Sequence, residues 1–89
     1  MLLGRVIGSV AATRKNAKLE ATRLLLVQPQ GLDGRDQGAA VLAIDGADAG
    51  VGETVLVVSG SSARMAAGLK DCPVDAAVIG IIDTVDMHE

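Results

Sequence analysis

Apolar residues along the chain fall into five short runs, each closed by glycine, proline or charged residues, and that spacing predicts strands more than helices. The first run extends from Leu2 to Ala12. It holds Gly4 and Gly8, four residues apart and so on one face of a regular strand, where glycine marks a bend or close packing at a barrel corner. Thr13 to Glu20 is polar and basic and reads as a loop. The second run, Arg23 to Gln28, has an apolar centre and is expected to stop at Pro29, which lacks a backbone N–H. Gln28 to Gly38 is a loop with the turn pair Asp33-Gly34. Ala39 to Asp45 forms the third strand, Gly46 to Gly52 a glycine-rich turn, and Thr54 to Ser59 the fourth strand. A helix is expected from Ser62 to Leu69, with Ser61 or Ser62 as its N-cap and Gly68 near its end. Ala76 to Val85 is the fifth strand, interrupted at Gly80.

Five strands with a short helix between the fourth and fifth describe a mainly β fold, a partly open antiparallel barrel of the oligonucleotide-binding (OB-like) type. A sheet with one wet face alternates apolar and polar residues, yet the second, third and fifth runs are apolar on both faces. One short helix cannot cover them all. Another copy of the same chain is the natural cover, so homo-oligomerisation follows from the pattern.

Length and composition agree. With 89 residues the chain is one domain, residues 1–89, and on its own would bury only roughly 63% of its unfolded surface. Its apolar content is 49%, but Trp, Tyr and Phe are all absent. Without rings to stack bases on, and with a net charge of −3, it is a poor nucleic-acid partner. The longest uncharged stretch, Thr54 to Ala63, falls far short of the roughly 18 residues that span a bilayer, and no leader pattern opens the chain. A cytoplasmic protein away from membranes is expected.

Charge is polarised along the chain. Arg5, Arg14, Lys15, Lys18 and Arg23 occupy the first quarter opposed only by Glu20, while Asp71, Asp75, Asp83, Asp86 and Glu89 follow Lys70 with no cation among them. Either these are solvated surfaces or they serve head-to-tail contacts between identical subunits.

Candidate chemistry is sparse. The single Cys72 and the single His88 make neither a disulfide nor a metal-ligand set, and read as a small residue before Pro73 and a solvated tail residue. Gly60-Ser61-Ser62 is either a plain helix cap or an anion site built on free backbone N–H groups, without the lysine of a phosphate loop. Asp45, Asp48 and Glu53 surround the glycine turn without calcium-loop spacing and read as solvated turn residues. Asp83, inside an apolar run, needs a partner: a backbone N–H or an arginine across an interface. No nucleophile has a base within plausible reach, so no catalytic residue, cofactor or metal is assigned and the chain is not expected to be an enzyme.

The runs also carry a family pattern. Gly4-Arg5-Val6-Ile7-Gly8-Ser9-Val10 with Ala12-Thr13-Arg14-Lys15, Leu24-Leu25-Leu26-Val27-Gln28-Pro29, Ala49-Gly50-Val51-Gly52-Glu53, Gly60-Ser61-Ser62-Ala63-Arg64, and Pro73-Val74-Asp75-Ala76 leading to Ile79-Gly80-Ile81-Ile82-Asp83 appear in order. Together they resemble the bacterial microcompartment vertex proteins of the EutN/CcmL type over nearly the whole chain. The resemblance implies a homopentamer of small barrels capping the five-fold vertices of a protein shell in the cytoplasm, with hexameric and trimeric shell proteins as partners and neither nucleic acid nor membrane. It also implies assembly roles for Gly50, Gly52, Glu53, Gly60, Ser61, Ser62, Arg64, Asp75 and Asp83. The chain departs from the pattern at Ala21, Ala47-Asp48 and Met65, which bears on loop detail and shell subtype. A small anion- or ligand-binding barrel is the alternative function.

Overall fold

The computed structural model describes residues 1–10, 23–60 and 75–85. Five strands are present: β1 (Leu2–Val10), β2 (Leu24–Gln30), β3 (Val41–Asp45), β4 (Thr54–Ser59) and β5 (Ala76–Ile81). They close a barrel in the order β1-β2-β3-β5-β4. Four of the pairings are antiparallel and β3 runs parallel to β5, so the barrel is mixed where an antiparallel one was expected. The expected helix over 62–69 and the loop over 13–20 lie outside the described residues.

The core is aliphatic. Val6, Leu25, Val27, Val55, Val57 and Val78 point inward and are fully buried, joined by Ala43, Ala49 and Ala76. β-branched side chains dominate it because they pack well on a pleated surface in few rotamers, and small ones suit an interior this narrow.

Strand limits differ from expectation where closure of the barrel intervenes. β4 spans Thr54–Ser59 as expected. β2 continues through Pro29, which pairs with Gly4. The reason is local: the Pro29 carbonyl faces away from β1 and accepts the Gln37 N–H at 2.8 Å, so the missing N–H also faces away from the ladder it would have interrupted. β3 begins at Val41, two residues later than expected, and β5 ends at Ile81 instead of Val85.

Two bulges re-aim the strands. Val6 pairs with Val27 but Gly8 with Leu26, which leaves Ile7 as an extra residue in β1. Leu56 pairs with Gly80 and Val57 with Val78, which leaves Ile79 extra in β5, beside the glycine expected to interrupt it. Each bulge reverses the alternation beyond it. Gly4 and Gly8 therefore do not share a face as the spacing predicts: Gly4 is buried and Gly8 lies on the outside next to Leu26.

Candidate functional site

The glycine turn between β3 and β4 is held by backbone and carboxylates together. Glu53 N–H donates to the Gly50 carbonyl at 3.2 Å, and Glu53 Oε1 accepts the Gly50 N–H at 2.6 Å. The third residue of this four-residue turn, Gly52, has φ of +94°, a conformation that glycine adopts without steric cost. Its N–H donates to the Val6 carbonyl at 2.8 Å while the Val6 N–H donates to the Glu53 carbonyl at 3.0 Å, so the turn is stitched to β1 on both sides. Thus Gly50, Gly52 and Glu53 form one unit, and Glu53 is a capping carboxylate instead of the solvated turn residue expected.

Asp45 is also more than a turn residue. Its side chain is only 3% exposed, and Oδ1 accepts the N–H groups of Ala47 and Ala49, both at 3.1 Å. Oδ2 lies 3.5 Å from the Arg23 guanidinium, and the Asp45 N–H donates to the Arg23 carbonyl at 2.9 Å. One carboxylate thereby shapes the turn and ties it to the start of β2. An aspartate accepting the N–H two residues on was the available sequence signal. Asp48, with φ of +56° and a side chain 97% exposed, lies 3.6 Å from the same arginine, its one ion-pair contact among the described residues. The three acidic residues do not converge on a shared point, and no group of three or more metal-ligating side chains occurs among the described residues.

The other implied positions separate. Gly60 and Asp75 meet where β4 ends and β5 begins, through a 2.9 Å bond from the Gly60 N–H to the Asp75 carbonyl. That N–H is one of the donors an anion at Gly60-Ser61-Ser62 would have used. Asp83 lies exposed beyond the end of β5, so it is not the buried strand carboxylate anticipated and needs no partner within the chain. Ser61, Ser62 and Arg64 lie outside the described residues.

Gly52→Val and Gly34→Val are expected to lower stability by similar amounts, on the order of 1–3 kcal/mol, since any side chain at these left-handed positions is strained. Gly34 has φ of +81°, and a Cβ at either position meets nothing within 4 Å. Urea unfolding of the two variants measures this, and a loss confined to one of them contradicts it.

Among the described residues, outward-facing apolar side chains include two groups, besides the singly exposed Ile7, Val51, Ile79, Ile81 and Val85. On β1, β2 and β3, Val10, Leu24, Leu26 and Leu42 stand in cross-strand register, with Leu42 46% exposed. Across the barrel, Leu3 on β1 pairs with Leu56 on β4, which pairs with Gly80 on β5. This second surface opens into a cleft of about 540 Å³ whose walls include Met1, Leu32, Gln30 and Gln37. Arg5, paired with Gln28 on one side and Thr54 on the other, is part of the polar band between them. Charge patterning did not reveal these surfaces, because each is assembled from residues distant in sequence.

Comparison with known proteins gives a consistent result. Residues 1–83 match the family model described as ethanolamine utilisation protein EutN/carboxysome. The chain is 44% identical over 86 residues to the bacterial microcompartment shell vertex protein GrpN of Rhodospirillum rubrum (strain F11), covering 97% of each. It is 44% identical over 85 residues to the shell vertex protein EutN of Escherichia coli (strain K12), covering 96% of this chain and 90% of that one. Among solved structures, the pentameric GrpN superposes with a TM-score of 0.90 at 42% identity, over 99% of this chain and 100% of that chain. CcmL of Gloeobacter violaceus superposes with a TM-score of 0.91 at 42% identity, over 98% and 90%.

Proposed function

The chain belongs to the EutN/CcmL family, and from that premise we propose that it is a structural shell protein whose homopentamer caps the five-fold vertices of a bacterial microcompartment. The observation that carries the reading is the end-to-end match, in sequence and in fold, to a pentameric shell protein. Physical chemistry points the same way. A small barrel with exposed apolar residues on its outer faces gains stability when copies cover one another, so folding and assembly are linked.

The role is geometric. Flat tiles extend a sheet, and closing it into a polyhedron requires five-fold units at the corners. Hexameric and trimeric shell proteins are the expected neighbours, in a shell within the cytoplasm, and residues 1–89 act as one vertex domain. Within that domain the strand order supports an OB-like barrel, and the sequence pattern alone supports the expected helix over 62–69. Gly50, Gly52, Glu53, Gly60, Ser61, Ser62, Arg64, Asp75 and Asp83 are the assembly determinants. Accordingly Gly52→Val weakens the pentamer more than Gly34→Val does at matched loss of stability. The protein has no substrate in this role.

Leaving the protein out of a reconstituted shell tests the reading. Electron microscopy is expected to show open or elongated particles that become closed and angular when it is returned. Shells that close and keep their cargo without it, in the absence of a second vertex protein, overturn the proposal.

A further inference from the structure

The sequence contains the pair Asp-Gly twice, at Asp33-Gly34 and Asp45-Gly46. Such a pair can rearrange without any catalyst, because glycine has no side chain to obstruct attack by its own backbone nitrogen on the preceding carboxyl. The fold treats the two pairs differently. Asp45 is 3% exposed, its Oδ1 accepts two N–H groups and its Oδ2 faces Arg23. The Gly46 N–H is bonded to the Val78 carbonyl at 2.9 Å, and that same oxygen would lie 2.6 Å from a Cβ on Gly46. Neither reacting group can move unless β3 parts from β5.

Asp33-Gly34 sits at the tip of the β2–β3 connection. The Asp33 side chain is 56% exposed, and every residue from Leu32 to Ala40 is exposed. The bonds that hold the tip are local ones: Gly34 N–H to the Gly31 carbonyl at 3.0 Å, Gly31 N–H to the Arg35 carbonyl at 2.9 Å, and Arg35 N–H to Asp33 Oδ1 at 3.0 Å. Exposed hydrogen bonds with no buried side chain behind them open without unfolding the barrel. The last of the three also draws the Asp33 carboxyl back along the peptide it would react with.

We infer that Asp33-Gly34 is a site of spontaneous backbone isomerisation in the folded protein, and that Asp45-Gly46 is protected from it. The Gly34 nitrogen forms a bond to Asp33 Cγ, and its proton leaves with a carboxyl oxygen as water, giving a cyclic succinimide. Water then opens the ring. Attack at Cγ restores aspartate, whereas attack at the main-chain carbonyl carbon leaves the chain running through the side chain as isoaspartate. One water leaves and one returns, so no oxidant or cofactor is required. The product carries an extra methylene in the backbone, which the tight Gly31–Gly34 turn cannot absorb with its bonds intact. This inference does not depend on the vertex reading.

Prolonged incubation of the assembled protein at physiological pH and temperature, beside the same chain in urea, tests it. Trypsin separates the two pairs into peptides 24–35 and 36–64. Isoaspartate is located by electron-transfer fragmentation and counted by methyl transfer from labelled S-adenosylmethionine with a protein isoaspartyl methyltransferase. In the folded protein it is expected to build up at least about tenfold faster in 24–35 than in 36–64, and in urea in both. Asp33→Glu, which would need a larger ring, is expected to abolish it in 24–35. Equal accumulation in the two peptides of the folded protein overturns the inference. Absence from 24–35 of the folded protein, or a signal there that persists in Asp33→Glu, overturns it as well.

Discussion

Gly4→Val is expected to prevent the barrel from closing. A Cβ built on Gly4 collides with Val27 Cγ1 and lies 2.8 Å from the Gln28 carbonyl oxygen, both on the adjacent strand β2. A side-chain methyl can rotate aside, but a backbone carbonyl inside a paired ladder cannot. The strands must separate exactly where β1 is gripped by β2 on one side and β4 on the other. Overpacking in a core typically costs about 1–3 kcal/mol, and here the backbone contact places the effect at or above the upper end. Since total stability for a domain of this size is of the order of 5–15 kcal/mol, the variant is expected to be largely insoluble or to unfold at much lower urea. Gly8→Ala is the control. It lies in the same strand with no heavy atom within 4 Å of its Cβ, so its unfolding midpoint is expected to match or slightly exceed the parent's. Both are measured at one protein concentration because assembly shifts apparent stability. Equal behaviour of the two variants refutes the packing argument.

Asp45→Ala is expected to have the next largest effect. Removing the carboxylate leaves the N–H groups of Ala47 and Ala49 without their acceptor, and Ala49 is buried. A buried donor left unsatisfied costs about 1–3 kcal/mol, and the Arg23 contact is lost as well, so a total of about 2–4 kcal/mol is expected. The damage should be local first: amide hydrogen exchange at Ala47 and Ala49 is expected to accelerate far more than exchange in β4. Asp48→Gly separates this from a general loss of acidic charge. It removes the exposed partner of Arg23 but relieves a left-handed backbone, so stability is expected to stay within about 0.5 kcal/mol of the parent. If Asp45→Ala is as stable as Asp48→Gly, the carboxylate does not organise the turn.

The pattern of apolar runs and breakers was enough to place all five strands, because strand formation here depends on local β-branched content and on where glycine and charge interrupt it. The same pattern required a cover for the outer faces, since aliphatic residues on both sides of a strand cannot all be buried by one small barrel. Register was beyond its reach. Gly8 and Gly80 mark a bend and an interruption, but not that Ile7 and Ile79 are the extra residues; the shifts arise because strands must move against each other for the sheet to close, and each reverses which side chains face out. That is why Gly8 does not share the face of Gly4, while Pro29 stays within β2 because its nitrogen faces away from β1. The turn glycines Gly50 and Gly52 were legible as a motif, whereas the roles of Glu53 and Asp45 depended on which N–H groups the folded chain brought to their carboxylates. The cleft between Leu3, Leu32 and Leu56 was not legible at all, because it joins three segments that only barrel closure brings together. Local preferences determined the elements; long-range pairing, which no local residue encodes alone, decided the surfaces with which this protein can meet its neighbours.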